Sequence, residues 1–128
     1  MENPLSIERI FKASEHDFKA AAFHKACDDV FNTLTLIRTD NGTIIGGFTH
    51  QSWTAGKKIV EDSQKGAFIF SLNMMEKFVP TKKVIYRNGN NCPQFGEDGE
   101  CDICIKDLCN TQKTSVANFP QLYNREKR

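Results

Sequence analysis

The sequence lacks a long hydrophobic run. No apolar stretch approaches the roughly 20 residues that a transmembrane helix requires. The first residues, Met1-Glu-Asn-Pro4, are neither basic nor followed by a signal-like hydrophobic stretch. These absences argue against a membrane span, direct membrane insertion and secretion. We therefore expect the chain to stay in the cytosol or nucleus, and we predict a cytoplasmic location.

An excess of one charge is also missing. Lys and Arg together number 17 and Asp and Glu 16, for a formal net charge of +1. Proteins that bind nucleic acids or anionic membranes usually carry a clustered positive charge. The balanced composition therefore gives no electrostatic reason to expect a nucleic-acid partner.

Internal repeats, low-complexity tracts and dividing linkers are absent as well. A chain of 128 residues suits one domain with a single core, so we predict one domain over residues 1–128. Ten phenylalanines supply much of the apolar mass of that core.

Residues 34–49 have the pattern of a β-hairpin. Asn41-Gly42 separates two β-rich runs, 34–38 and 43–49. Tight hairpin turns favour this dipeptide because both residues can adopt positive φ. Gly46 and Gly47 lie inside the second strand, where glycine usually marks a bulge or the close approach of another backbone. We predict that another part of the molecule packs against this strand.

The other elements are predicted from periodicity and turn signals. Apolar rows at helical spacing predict a helix at 17–28, with Asp17 as the candidate N-cap and a boundary that could move by two residues. A shorter helix is predicted at 6–11. Alternation predicts a strand at 67–72 with both faces substantially buried. Residues 54–66 are polar and charged except for Ile59-Val60, which indicates a surface loop with room for a helical turn. Further strands are predicted at 84–87 and 101–105. Early helices followed by strands indicate an α+β fold with antiparallel sheets.

Four of the five cysteines invite a thiol site: Cys92, Cys101, Cys104 and Cys109. A zinc site or a redox couple usually places its C-x-x-C on a turn or at a helix start, whereas 100–105 has the composition of a strand. In a strand, residues i and i+3 point to opposite faces, so we expect Cys101 and Cys104 to point apart. Buried thiols are the simpler interpretation, and a cysteine-based redox sensor or small zinc-binding module is the alternative.

The sequence offers no convincing catalytic set. His24 and Cys27 are one helical turn apart, but the apolar row places Cys27 towards the core, where burial raises a thiol pKa. Acidic residues gather around a Gly-rich turn at Glu97, Asp98, Glu100 and Asp102. We interpret them as a solvated turn or protein-contact patch, with a carboxylate-dependent hydrolase as a weaker alternative. We predict neither catalysis nor a bound cofactor or metal.

Trp53 is the only tryptophan and follows the second strand of the predicted hairpin. An exposed tryptophan could anchor a binding partner. A lone tryptophan at a strand end more often covers the core, because its large apolar area is costly to leave in water. We favour the core interpretation.

Several motifs occur in an order that resembles one known family. They are Phe11-Lys-Ala-Ser-Glu-His-Asp-Phe18, Phe23-His-Lys, Cys27-Asp28, the hairpin, Gln51-Ser-Trp53, Phe68-Ile-Phe-Ser-Leu72, Pro93-Gln-Phe-Gly96, Cys101 to Asn110, Asn118-Phe119 and Tyr123. Over nearly the whole chain they resemble the TLDc domain in the form common in protists. The family continues beyond the position of Tyr123 into one more hairpin-like stretch, so the chain looks short at its C-terminus. If that stretch is missing, a neighbouring strand should have an unpaired edge.

The resemblance implies two antiparallel sheets stacked as a β-sandwich and flanked by short helices. It also implies a non-catalytic protein-interaction domain with a role in oxidative-stress resistance or in regulation of the vacuolar proton-pumping ATPase. Peripheral subunits of that ATPase are the implied protein partner. The positions marked for fold or interaction are Gly46, Gly47, Trp53, Phe95, Gly96 and Asp102.

Overall fold

The computed structural model describes residues 6–54, 59–61, 66–80, 83–87, 89–97, 100–109, 115–117 and 123–125. The elements in chain order are a 3₁₀ turn at Ala13–Glu15, α1 at Ala20–Cys27, β1 at Thr33–Arg38, β2 at Ile44–Thr49, β3 at Ile59–Glu61, β4 at Phe68–Ser71, β5 at Glu76–Pro80, β6 at Lys83–Tyr86, β7 at Asn91–Glu97, β8 at Glu100–Lys106, β9 at Val116–Ala117 and β10 at Tyr123–Arg125. They confirm the predicted α+β class.

All strand pairs are antiparallel, and they form two sheets. Sheet A has the order β1-β2-β4-β5-β10, and sheet B has the order β3-β6-β7-β8-β9. The sheets meet face to face where the ring of Phe95 on β7 lies against Gly47 on β2. The core between them is a single cluster that includes Ile69 and Phe78 from sheet A and Ile85 and Ile103 from sheet B.

The predicted hairpin is confirmed, with a different turn. β1 and β2 pair in register from Thr33 opposite Thr49 to Arg38 opposite Ile44. Only Gly42 of the Asn41-Gly42 pair has positive φ, at 85°, and its N–H donates to the carbonyl of Thr39. Asn41 contributes instead through its side chain, whose oxygen accepts the Thr43 N–H at 3.2 Å. The turn therefore requires one left-handed residue rather than two.

The helix predicted at 6–11 is wrong. The structure has no helix there and makes one 3₁₀ turn at Ala13–Glu15. The side chain of Ile7 is 79% exposed and that of Ile10 is 41% exposed, whereas Phe11 packs against the core from the end of the segment. A short helix gains most of its stability from such packing.

The second helix is confirmed, with its N-cap two residues after Asp17, at the limit of the predicted boundary. Asp17 and Phe18 have φ of 54° and 57°, a left-handed conformation that cannot belong to an α-helix. Asp17 therefore cannot be the N-cap, and Lys19 holds that position without a capping side chain. Asp107, which follows β8, accepts the Ala20 N–H at 2.8 Å through its carboxylate. A carboxylate that is distant in the sequence thus accepts one of the N–H groups that the first turn of α1 leaves without an intrahelical partner.

We expect Asp107→Ala to lower the free energy of unfolding by about 1 kcal/mol, the usual effect of losing a side-chain cap. The variant removes an acceptor for the Ala20 N–H and a negative charge near the positive end of α1. Urea unfolding would measure the change. Asp40→Ala, at an exposed position in the hairpin turn, is the matched control. Equal stability of the two variants would contradict the capping role.

Two predictions for the middle of the chain need correction. Residues 54–66 are not wholly a loop, because β3 lies within them and pairs with β6. In β4, Ile69 and Ser71 are buried as predicted, but Phe68 and Phe70 on the opposite face are only half-buried. The prediction of substantial burial is therefore confirmed for one face and wrong for the other, because the outer side of sheet A is partly open to solvent.

The strand at 84–87 is confirmed as β6, and that at 101–105 as β8. β7 was missed because Pro93 lies within it, and proline argues against a central strand. A register shift between Asn91 and Gln94 accommodates this proline. β9 and β10 have two and three residues, too few for a periodic pattern.

β5 has a pairing strand on both of its sides, since β10 covers the side that faces away from β4. β10 pairs with β5 from Tyr123 opposite Pro80 to Arg125 opposite Phe78. β10 is itself the last strand in the order of sheet A, so the expected unpaired edge beside a missing stretch stays a prediction. Tyr123 itself is fully buried in the core.

Candidate functional site

Gly47 and Phe95 join the two sheets at their centre. A Cβ atom added to Gly47 would lie 2.5 Å from Cζ of Phe95 and within 2.8 Å of two further ring atoms. Real Cβ atoms essentially never approach another atom this closely. The predicted packing against the double-glycine strand is thus confirmed, and the packing group is an aromatic ring.

Gly46 allows a close contact on the opposite face of the same strand, β2. A Cβ there would meet the backbone oxygen of Thr35, and it would lie 2.7 Å from Cζ of Phe70. Alternation along β2 directs the two glycines to opposite faces of sheet A. The pair therefore lets one aromatic ring approach each face of the strand.

Trp53 belongs to the core, as favoured from the sequence. Its side chain is 2% exposed, and its indole Nε1–H donates to Oγ1 of Thr33 at 3.2 Å. Its ring makes edge-on contacts with Phe23, at a centroid distance of 6.1 Å, and with Phe95, at 5.3 Å. Each side of the indole is occupied by protein, so Trp53 is not an interface anchor.

Gly96 and Asp102 form a β-bulge between β7 and β8. Phe95 is opposite Ile103 but Gly96 is opposite Cys101, which leaves Asp102 as the extra residue of β8. Gly96 has φ of 103°, and a Cβ on it would lie 3.0 Å from the Asp102 nitrogen. Glycine is therefore required there by backbone conformation and by space.

The Asp102 carboxylate is fully buried and accepts the Tyr123 N–H at 3.3 Å. Asp102 thereby links β8 of sheet B to β10 of sheet A. The sequence interpretation of this segment as a solvated turn was wrong for Asp102. Asp98 lies outside the described residues, and the structure does not describe the side chains of Glu97 and Glu100.

The bulge also corrects the prediction for the C-x-x-C motif. Cys104 is opposite Gln94 and Cys101 is opposite Gly96, and these two partners are two residues apart on β7. Residues two apart on a strand share a face, so the extra residue brings both cysteines to the same face of β8. A hydrogen bond with the Cys101 side chain, together with burial, raises the pKa of the Cys104 thiol. The expectation that the two would point apart was therefore wrong.

The other cysteines form a separate group near the end of α1. Burial raises the pKa of Cys92 to about 12, with smaller contributions from nearby Cys109, Asp107 and Cys27. Burial raises the pKa of Cys27 to about 11, and the negative charge of Asp28 makes a smaller contribution in the same direction. These thiols stay protonated at neutral pH. The four cysteines singled out from the sequence are thus two pairs, Cys101 with Cys104 and Cys92 with Cys109.

No group of three or more His, Cys, Asp or Glu side chains in the described ranges is arranged to hold a metal ion. His24 and Cys27 do not form a nucleophile pair either. The imidazole Nδ1 of His24 lies 2.7 Å from the Asp28 carboxylate, and Nε2 lies 2.8 Å from the carbonyl oxygen of Asn91. The histidine therefore connects α1 to β7, and Cys27 packs in the core as predicted.

The feature that sequence reasoning missed is an exposed apolar surface, which we call the outer face of sheet A. It consists of Leu34, Leu36, Phe48, Phe68, Phe70 and Leu72. Leu34 is 46% exposed, Leu36 65% and Leu72 49%. The three phenylalanines are half-buried.

Strand register makes this surface continuous. One row runs from Leu34 to Phe48 and Phe68, and a second runs from Leu36 over Gly46 to Phe70. The rings of Phe48 and Phe68 stack at a centroid distance of 5.7 Å. The signal was present in the alternation of both segments, but it could be interpreted only once β1, β2 and β4 were known to be neighbours.

No helix in the described part of the chain is long and apolar enough to cross a membrane. Comparison with known proteins gave no match among curated proteins and none among solved structures. A family profile for the TLDc domain matches residues 3–127, which is nearly the whole chain. Among the residues that carried the resemblance, Trp53, Phe95 and Tyr123 are buried in the core between the two sheets, and Gly47 lies against the Phe95 ring. The chain belongs to the TLDc domain family.

Proposed function

We propose that this TLDc domain acts by binding a protein through the outer face of sheet A rather than by catalysis. The main observation that supports this proposal is the exposure of Leu34, Leu36 and Leu72 on one continuous sheet surface. Contiguous exposed apolar surface commonly marks a protein-interaction site. TLDc domains are generally linked to oxidation resistance, and that link sets the physiological context of the proposal.

The partner that we propose is a peripheral subunit of the vacuolar proton-pumping ATPase, as the family resemblance implies. A cytoplasmic location, where such a subunit would be met, is part of the same proposal. The outer face has the chemistry of an interface centre: aliphatic side chains on β1, stacked aromatic rings on β2 and β4, and a cation at the margin. That cation is the ammonium of Lys77, which lies 4.8 Å above the Phe68 ring centroid.

Leu36→Asp should weaken binding to purified peripheral ATPase subunits about 30-fold or more, because it places a charge at a desolvated interface centre. Leu36 is 65% exposed on an edge strand, so the substitution should leave folding intact. Ile7→Asp, at a 79% exposed site outside both sheets, is the matched control and should bind like the parent chain.

Biolayer interferometry with the purified subunits would measure both variants. Equal affinity of Leu36→Asp and the parent chain would remove the outer face of sheet A from the interface. A well-folded parent chain that binds none of the subunits would contradict the choice of partner.

A further inference from the structure

The Cys101 and Cys104 thiols lie side by side in a strand, an arrangement that the β-bulge at Asp102 creates. An unbroken strand would separate residues i and i+3 by about 10 Å and point them apart. Here their partners on β7, Gly96 and Gln94, are two residues apart, which reduces the separation along the strand to about 7 Å. The Cys101 side chain also raises the pKa of the Cys104 thiol, which agrees with this proximity.

The two positions differ in access. Cys101 is partly exposed, whereas Cys104 is fully buried, with its Sγ–H donating to Oε1 of Gln94 at 3.2 Å. A partly exposed thiol beside a buried one is the arrangement in which the first can meet an oxidant and the second can resolve the product. Neither residue belongs to the outer face of sheet A.

We propose that Cys101 and Cys104 are a redox-sensitive dithiol that a hydroperoxide converts into an intramolecular disulfide, which disturbs the contacts of β8 with β9 and β10. This modification site goes beyond the proposed binding function and does not depend on the identity of the partner.

The reaction has two steps. The Cys101 sulfur attacks one peroxide oxygen, an S–O bond forms and the O–O bond breaks, and the leaving oxygen takes the Cys101 thiol proton and departs as water or as an alcohol. The Cys104 sulfur then attacks the Cys101 sulfur, an S–S bond forms, the S–O bond breaks, and the leaving hydroxide takes the Cys104 proton to become water. Two thiols are oxidised and one hydroperoxide is reduced. A thiol reductant reverses the modification.

The disulfide requires β8 to shorten. Cysteines joined by a disulfide usually have Cα atoms about 5.5–6 Å apart, roughly 1 Å less than the spacing in the bulged strand. The two residues between them are Asp102, which accepts the Tyr123 N–H, and Ile103, which pairs with Ala117. Shortening the segment therefore strains the links from β8 to β10 and to β9.

The experiment treats the reduced full chain with hydrogen peroxide, blocks the remaining thiols with N-ethylmaleimide under denaturing conditions, and measures the intact and peptide masses. We expect two of the five thiols to escape alkylation, with the loss of two hydrogens confined to the peptide that contains Cys101 and Cys104. Cys101→Ser and Cys104→Ala should each abolish this loss. Cys92→Ser, within the same tryptic peptide, is the matched control and should retain it.

Hydrogen exchange would then compare the oxidised and reduced chains. We expect faster exchange of the amides of Tyr123 and of 115–117 after oxidation, reversed by dithiothreitol. Persistence of the two-hydrogen loss in folded Cys101→Ser would overturn the assignment of the pair. Accumulation of Cys101 as a sulfinic acid in the parent chain, with Cys104 still open to alkylation, would also overturn the assignment of the pair. A disulfide that leaves these amides unchanged would overturn the coupling to β9 and β10.

Discussion

Gly47→Ala is expected to lower the free energy of unfolding by about 1–3 kcal/mol, the usual cost of overpacking a core. The new methyl group would lie 2.5 Å from the Phe95 ring, which is fully buried between the sheets. Trp53 and Tyr123 contact the same ring, at centroid distances of 5.3 and 6.3 Å. The ring therefore cannot retreat without moving other large side chains.

A double-mutant cycle with Phe95→Leu isolates the contact. Phe95→Leu alone should destabilise by leaving a cavity, and the extra methyl group of Gly47→Ala should partly fill that space. The combined loss should therefore be smaller than the sum by at least about 0.5 kcal/mol in urea unfolding. Phe78→Leu in β5 serves as the matched control, and its effect should add to that of Gly47→Ala. Simple additivity with Phe95→Leu would contradict the close approach of Gly47 to the ring.

Tyr123→Ala is expected to have the larger effect, a loss of about 3–5 kcal/mol. Tyr123 is fully buried, and its ring packs edge-on against Phe95. Truncation leaves a large cavity between the sheets and weakens β10, whose three residues contribute little pairing of their own. A loss of this size is a large fraction of the total stability of a typical domain.

Tyr123→Phe is the matched control, because it retains the ring in the core. We expect it to lose at most about 1.5 kcal/mol, the usual limit for one hydrogen bond of a neutral group. Both variants keep the backbone N–H that Asp102 accepts, so the comparison reports the packing of the ring. Urea unfolding followed by tryptophan fluorescence would measure both. Similar, small losses would show that β10 is not part of the cooperative core.

The hairpin was predictable because its signals are local. A turn dipeptide between β-rich runs specifies β1 and β2, and the glycine pair in β2 correctly indicated a close contact. The identity of the contacting groups was not predictable, because Phe95 is 48 positions from Gly47 and comes from the other sheet. The role of Asp107 was not predictable for the same reason. Asp107 follows β8, and no residue near α1 in the sequence indicates that it accepts the Ala20 N–H.

The cysteine prediction failed for a related reason. The rule that residues i and i+3 of a strand point apart holds only for an unbroken alternation. One extra residue, Asp102, shifts the alternation and brings Cys101 and Cys104 together. The glycine that enables the bulge, Gly96, lies on the neighbouring strand, so the signal was divided between two segments.

The sequence by itself determined the fold class, the family and the central hairpin, because alternation, turn residues and motif order are written along the chain. Only the tertiary structure decided which surfaces are open and which side chains meet. The outer face of sheet A arises because β1, β2 and β4 become neighbours, and the dithiol arises because a bulge changes the register of β8. Both depend on pairing between distant segments, and a local pattern carries no information about its pairing partner.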